Sequence, residues 1–161
     1  MSSTPLKAAQ EAVDFSQHTE VRPEVYDIPV YQDDRGFVYC VRDNQFSDMI
    51  QRTYIVENHS KGLVRAWHGH RRGDTYMHVL SGSVKLAAMN MDNDEDVTCA
   101  VLTDRKPQLF YVPAGFYNGA VSLTDNTKIL VYSTLTFDQV KSDDQRLDWK
   151  VNADIWEVKN R

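Results

Sequence analysis

From Tyr26 onward the chain runs as a series of short apolar or alternating segments: VYDIPVY, FVYCVR, IQRTYIVE, LVRAWHGH, YMHVLSGSVKLAAM, VTCAVL, LFYVPAG, AVSL and KILVYSTL. Turn-forming stretches separate them, among them DDRG, NHSKG, DNDED and TDNT. Segments this short, rich in Val, Ile, Tyr and Thr, predict strands rather than helices. A run of strands without an intervening helical period predicts an all-β domain, an antiparallel sandwich or barrel. After Phe137, DQVKSDDQRLDWK predicts a turn and one short helix, and VNADIWEVKNR carries a Trp suited to anchoring the tail on the barrel. Upstream, LKAAQEAVDF has only a weak helical pattern, which predicts a loosely held arm able to pack on a partner subunit. The expected organisation is an arm over residues 1–25 and one β domain with a C-terminal tail over 26–161.

Alternate side chains of a strand share a face. In LVRAWHGH this puts Val64, Ala66, His68 and His70 on one side and Arg65 and Trp67 on the other, so that two histidines look into the same interior. A single strand histidine is most simply a satisfied polar residue at a barrel mouth. A pair raises two further options, a metal site or proton transfer. Elsewhere the plain readings are a solvated hairpin loop for DNDED and surface or rim positions for Arg71, Arg72 and His78.

Composition narrows the partners. The 161 residues have room for one domain with a substantial core. No apolar run approaches the roughly 18 residues of a membrane span, and MSSTPLKAAQEAVDF lacks the pattern of a secretory signal, so a cytoplasmic protein without membrane contact is expected. A formal net charge of -5 argues against a nucleic-acid partner, which needs a clustered excess of Lys and Arg. It leaves open a small phosphorylated ligand held by a few arginines. Cys40 and Cys99 have neither CxxC spacing nor neighbours that suggest zinc, and are expected as buried thiols.

The spacing of Gly62, His68, His70 and Gly82 resembles the first cupin motif, and VPAGFYN, residues 112–118, resembles the second. Metal-binding cupins add a Glu four or five positions after the histidine pair and a third His after the PxG turn. Those positions hold Asp74 or Thr75, and Asn118. Two good ligands are too few for a catalytic metal centre, so neither a metal nor another cofactor is expected.

Within the cupins, the stretch from about Tyr31 to Trp149 resembles the dTDP-4-dehydrorhamnose 3,5-epimerase family of sugar-nucleotide enzymes. DDRG is similar to the family's Asp-x-Arg-Gly, RAWH to its Arg-Gly-Leu-His, and Ser81 to Val84 to its Ser-Gly-Ser-Val. Pro113, Gly115 and Gly119 match its PxG turn and following glycine, and KILVYS matches the strand that carries its catalytic tyrosine. The resemblance implies a cupin-type jelly-roll barrel, a nucleotide-linked 4-keto-6-deoxy sugar as substrate, and a homodimer in which the N-terminal segment crosses to the neighbour. It implies His68 as the base that takes a proton beside the ketone and Tyr132 as the donor on the opposite face. Arg35 and Arg65 would hold the diphosphate, with Asn118 and Tyr117 as further substrate contacts.

Four departures bear on the reaction. The family's Gln two residues after its catalytic His is His70 here, which resembles the HxH pair of the related 3,4-ketoisomerases and implies that His70 polarises the ketone or relays a proton. The family's enolate-stabilising lysine falls at Thr75, and the His usual after its second motif at Asn118. Phe137 stands where a second tyrosine is usual, and Asp154 is only a default candidate for the acidic partner of His68. Epimerisation at C3, C5 or both is the first expectation and 3,4-ketoisomerisation the second. A sugar-nucleotide-binding cupin without chemistry and a metal-dependent oxygenase are the competing classes.

Overall fold

A computed structural model describes residues 21–41 and 49–159. Two five-stranded antiparallel sheets face each other. The first runs in the order β1 (Glu24–Asp27), β9 (Gln108–Val112), β6 (Thr75–Ser81), β11 (Thr127–Ser133), β4 (Arg52–Asn58). The second runs β12 (Gln145–Arg146), β5 (Val64–His70), β10 (Phe116–Ser122), β7 (Ser83–Asn90), β8 (Asn93–Thr103). A separate hairpin joins β2 (Val30–Asp33) to β3 (Gly36–Tyr39), and the described chain has one α-helix, α1 (Phe137–Lys141). This is the antiparallel all-β architecture that the strand pattern predicts, in the jelly-roll form that the family resemblance implies.

The core lies between the sheets. Met77, Val79, Phe110, Val112, Ile129 and Val131 from the first sheet meet Val84, Leu86, Ala88, Phe116 and Ala120 from the second. Several strands read as unbroken apolar runs because their outer faces are covered as well. On the second sheet the C-terminal segment is the cover: Trp156 lies with its ring 4.9 Å from that of Trp67, and the ammonium of Lys85 donates to the carbonyls of Ile155 and Glu157 at 2.8 Å. On the first sheet, Tyr76, Leu109 and Tyr132 pack with Ile28 on the side away from the core. Gly82, in the left-handed region at φ +79°, makes the tight Ser-Gly-Ser connection from β6 to β7, where a Cβ would strike the Thr124 hydroxyl.

Several sequence expectations change. Strand β1 begins at Glu24, so the chain enters the sheet inside the segment assigned to the arm, and residues 1–20 of that arm lie outside the described residues. The solvated loop expected at DNDED shrinks to a turn at Met91 and Asp92, because Asn93 pairs back with Asn90 and β8 continues from there. The cysteines are exposed rather than buried: Cys99 lies on edge strand β8 opposite Ala87, which faces the outer side of the sheet, and Cys40 follows the hairpin. His78 is buried rather than at a rim, with its Nδ1 donating to the Gln108 carbonyl at 2.8 Å and its ring edge against Tyr39.

Candidate functional site

A cleft of about 180 Å³ opens between the sheets, where edge strand β4 faces β5 and β10. Tyr54 and Val56 line it from β4, Arg65, His68 and His70 from β5, and Asn118 from β10. Thr75, Met77, Ile129 and Val131 complete its wall.

The alternation expected for β5 breaks in its middle. His68 pairs with Asn118, but Arg65 pairs with Ala120, so Ala66 and Trp67 together oppose Gly119. This extra residue turns Arg65 onto the cleft face beside the histidines and leaves Val64, Ala66 and Trp67 on the outer face. Trp67 is fully buried under the tail, with its Nε1 donating to the Val151 carbonyl at 3.0 Å. Gly119 opposite has no room for a side chain: a Cβ there would lie 2.7 Å from Ala66 Cβ and 2.7 Å from Trp156 Cη2.

The two histidines are held differently. His70 Nδ1 lies 2.9 Å from the backbone oxygen of Asp143. A carbonyl can only accept, so Nδ1 carries the proton and donates it, and in the neutral ring Nε2 is the free base. The Asp143 carboxylate is buried and accepts the backbone N–H groups of Arg71 at 3.1 Å and Arg72 at 2.9 Å. From the other side, Gly115 N–H in the PAG turn, at φ +87°, donates to the His70 carbonyl at 2.8 Å. His68 is kept neutral by its surroundings: burial pushes its pKa below 6.5, the Arg146 guanidinium adds to this, and Asp144 partly offsets it. Asp144 accepts from Arg146 Nε at 2.8 Å on the segment that pairs with His68 as β12.

Arg65 lines the cleft, but at the end away from His70 its Nε donates to Asn58 Oδ1 at 2.6 Å, and Asn58 continues to the hydroxyl of Ser122 at 3.0 Å. Asn118 lines the cleft beside His68. Three expected residues are elsewhere. Tyr117 alternates with Asn118 and packs on the outer face with Trp67 and Trp156. Tyr132 alternates with Val131, which lines the cleft, and packs away from it with Tyr76, Leu109 and Ile28. Arg35 sits at the tip of the β2–β3 hairpin, largely exposed and ion-paired to Asp33, and does not line this cleft. Asp154, the default acidic partner of His68, lies on the outer face in a groove shared with Lys85 and Cys99.

Tyr54 was not among the expected residues. It faces the cleft from the sheet opposite the histidines, with the Arg52 guanidinium carbon 4.7 Å from its ring centroid. Burial raises the Tyr54 phenol pKa above its ordinary value, and Arg52 pulls it partly back. The only hint in IQRTYIVE is that Arg52, Tyr54 and Val56 share one face. A metal does not fit this donor set. The Asp74 carboxylate, at the position of the missing cupin ligand, accepts the Ala114 N–H at 2.8 Å, and among the described residues no three His, Cys, Asp or Glu side chains converge.

Residues 21–146 match the family model described as FdtA: WxcM-like, C-terminal. The chain belongs to this family. No curated protein sequence matches the chain. Solved structures with the same fold include the rmlC epimerase of Mycobacterium tuberculosis, 15% identical with TM-score 0.69 over 81% of this chain and 71% of that one. The dTDP-4-dehydrorhamnose 3,5-epimerase of Sulfolobus tokodaii is 17% identical, with TM-score 0.71 over 84% of this chain and 82% of that one. ChmJ, a 3'-monoepimerase from Streptomyces bikiniensis in complex with dTDP-quinovose, is 12% identical, with TM-score 0.70 over 83% and 72%. This member of the FdtA family therefore has the fold of the sugar-nucleotide epimerases, with the histidine pair at the mouth of its jelly roll.

Proposed function

We propose that the protein is a nucleotide-sugar isomerase that moves the carbonyl of a 4-keto-6-deoxy sugar between C4 and C3. The observation that carries this reading is that His68 and His70 lie on one face of β5 and both line the cleft, His68 with its pKa pushed below 6.5 by burial and His70 with its Nδ1 donating to the Asp143 carbonyl. Ketoisomerisation moves two protons, one from C3 to C4 and one from O3 to O4, through an enediol. Adjacent carriers on one side of the sugar suit that pair of transfers. His70, with Nδ1–H fixed by Asp143, offers Nε2 to the carbon-bound proton; His68, little able to hold a charge, relays the proton between the oxygens.

Epimerisation is the second reading, and Tyr54 is the observation that favours it. A phenol facing the histidines across the cleft can return a proton to the opposite face of the carbon, the role expected of Tyr132. Both readings take a nucleoside diphosphate sugar as substrate, in line with the dTDP-sugar ligand named for ChmJ. The cleft of about 180 Å³ suits one pyranose ring, and on this reading the diphosphate lies at the rim.

The test is incubation in D2O with dTDP-, GDP- and CDP-linked 4-keto-6-deoxy sugars, following each ring carbon by NMR. Carbonyl migration to C3 with deuterium at C4, lost in His70→Ala, is the expected result. Deuterium at C3 or C5 with inversion and no migration replaces it with epimerisation. Binding without exchange for the whole panel overturns both and leaves a binding module.

A further inference from the structure

We propose that Arg52 is a positioning residue for Tyr54: a guanidinium with no carboxylate at ion-pair distance among the described residues, set against the ring of the tyrosine that faces the two histidines and tuning its proton transfer. The proposal deepens the second reading above and rests on its assignment of Tyr54 as the proton donor across the cleft.

Around the cleft mouth, Arg71 meets Asp92 at 2.9 Å, Arg72 meets Asp143 at 3.7 Å and Arg146 meets Asp144 at 2.8 Å. Arg52 has no carboxylate at ion-pair distance among the described residues. Its guanidinium carbon lies 4.7 Å from the Tyr54 ring centroid and 6.0 Å from that of Phe137, so two aromatic faces hold it where an acid would otherwise stand. Its Nε is buried and without a hydrogen-bond partner. A guanidinium held in this way acts on the charge of whatever stands next to it, through the screening of its surroundings.

What stands next to it is Tyr54. The two residues are i and i+2 on β4, and their side chains share the inner face of the strand. Arg52 is the residue nearer the mouth, since it pairs with Ser133, which in turn pairs with Thr75 at the start of β6. The other groups that face Tyr54 are Arg65, His68 and His70 from β5, while Ile129 and Val131 on β11 carry no charge. Lys141, from α1, stacks on the far ring of Phe137 at 4.7 Å. Among the described residues no carboxylate lines the cleft, and burial and Arg52 act on the phenol in opposite directions. A partly buried phenol without a neighbouring cation would be a weaker acid for returning a proton to an enediolate. Arg52 restores part of that strength without touching the substrate carbon.

The charge of Arg52 can be tested without substrate. The protein is labelled with 3-fluorotyrosine, whose fluorine brings the phenol titration into a range the fold tolerates. Tyr54 is assigned by the resonance missing in Tyr54→Phe and titrated by fluorine NMR. In Arg52→Gln the midpoint should rise by about one pH unit, the size expected when one close cation is removed. In Arg52→Lys, which keeps the charge, it should stay within a few tenths of wild type. Phe137→Leu, which loosens the guanidinium while leaving it in place, should give a smaller rise and serves if Arg52→Gln does not fold. Equal midpoints in wild type, Arg52→Gln and Phe137→Leu overturn the proposal. Because no turnover is read, this result stands apart from the fate of the isomerase reading: a normal shift with no ring-proton exchange keeps the Arg52–Tyr54 pair and removes the reaction.

Discussion

The Nδ1 of His70 donates to the backbone carbonyl of Asp143 at 2.9 Å, across 73 residues of sequence. That bond decides which ring nitrogen is the base, and the buried Asp143 carboxylate fixes the carbonyl by holding the N–H groups of Arg71 and Arg72. Replacing His70 with Ala should lower kcat by about 10²- to 10⁴-fold, the range of a lost general base. Asp143→Ala should reach the same site indirectly. It leaves two N–H groups without their acceptor, which costs about 1–3 kcal/mol of stability, and lets the carbonyl drift from His70. A denaturant titration together with deuterium exchange into the sugar measures both effects, and unchanged exchange in Asp143→Ala would detach His70 from this support.

His68 carries a signature in pH. Its pKa in the fold lies below 6.5, so it remains neutral, and able to accept a proton, when an ordinary histidine has begun to charge. The His68 ring should therefore titrate below pH 6.5 when followed by NMR. The sign for stability follows: below pH 6.5 the unfolded chain binds a proton that the folded chain refuses, so this contribution is full above pH 6.5 and lost as pH falls toward the folded pKa. His68→Gln should flatten the loss of stability between pH 6.5 and 5 while removing activity. Parallel melting curves of the two proteins across that range are the measurement.

Two tyrosines separate two geometries. Tyr54 faces the cleft and Tyr132 packs on the outer side of the same sheet. If the reaction is epimerisation, Tyr54→Phe should lower turnover about 100-fold or more, as loss of a proton donor does, whereas Tyr132→Phe should leave it within about threefold, as a change remote from the reacting atoms does. The reverse order in a steady-state comparison would mean that the β11 strand turns its other face to the substrate.

How much of this could be read beforehand differs by element. The antiparallel all-β domain follows from the alternating segments, its jelly-roll form from the motifs shared with the epimerase family, and the histidine pair from its spacing. The face of Tyr132 does not follow, because KILVYS is apolar on both sides: its inner residues meet the core and its outer ones meet Tyr76 and Leu109, so no polar contrast marks the interior. Arg65 joins the histidines only because of the bulge opposite Gly119, which shifts the alternation without leaving a mark in RAWH itself. The support of His70 comes from Asp143, too distant in sequence for any local pattern to reveal.

That bulge gives a further prediction. Gly119→Ala would press a methyl group against Ala66 Cβ and Trp156 Cη2, both 2.7 Å from its position, and should cost about 1–3 kcal/mol as an overpacked site does. The displaced Trp156 should appear as a shift in its fluorescence. A melting curve equal to wild type would show that the tail yields freely there.

The two-residue strand β12, paired with the backbone of His68 and Gly69, has a consequence for anyone wishing to transplant this site. The histidine-bearing strand would be a bare margin of its sheet without it, and the loop that orients His70 arrives on the same piece of chain. A miniature cut at the end of β11 would preserve most of the core and the motif, yet carry both imidazoles on an unsupported ribbon. The portable unit is therefore the barrel together with residues 143–156: the short motif names the chemistry, and a distant strap makes it transferable.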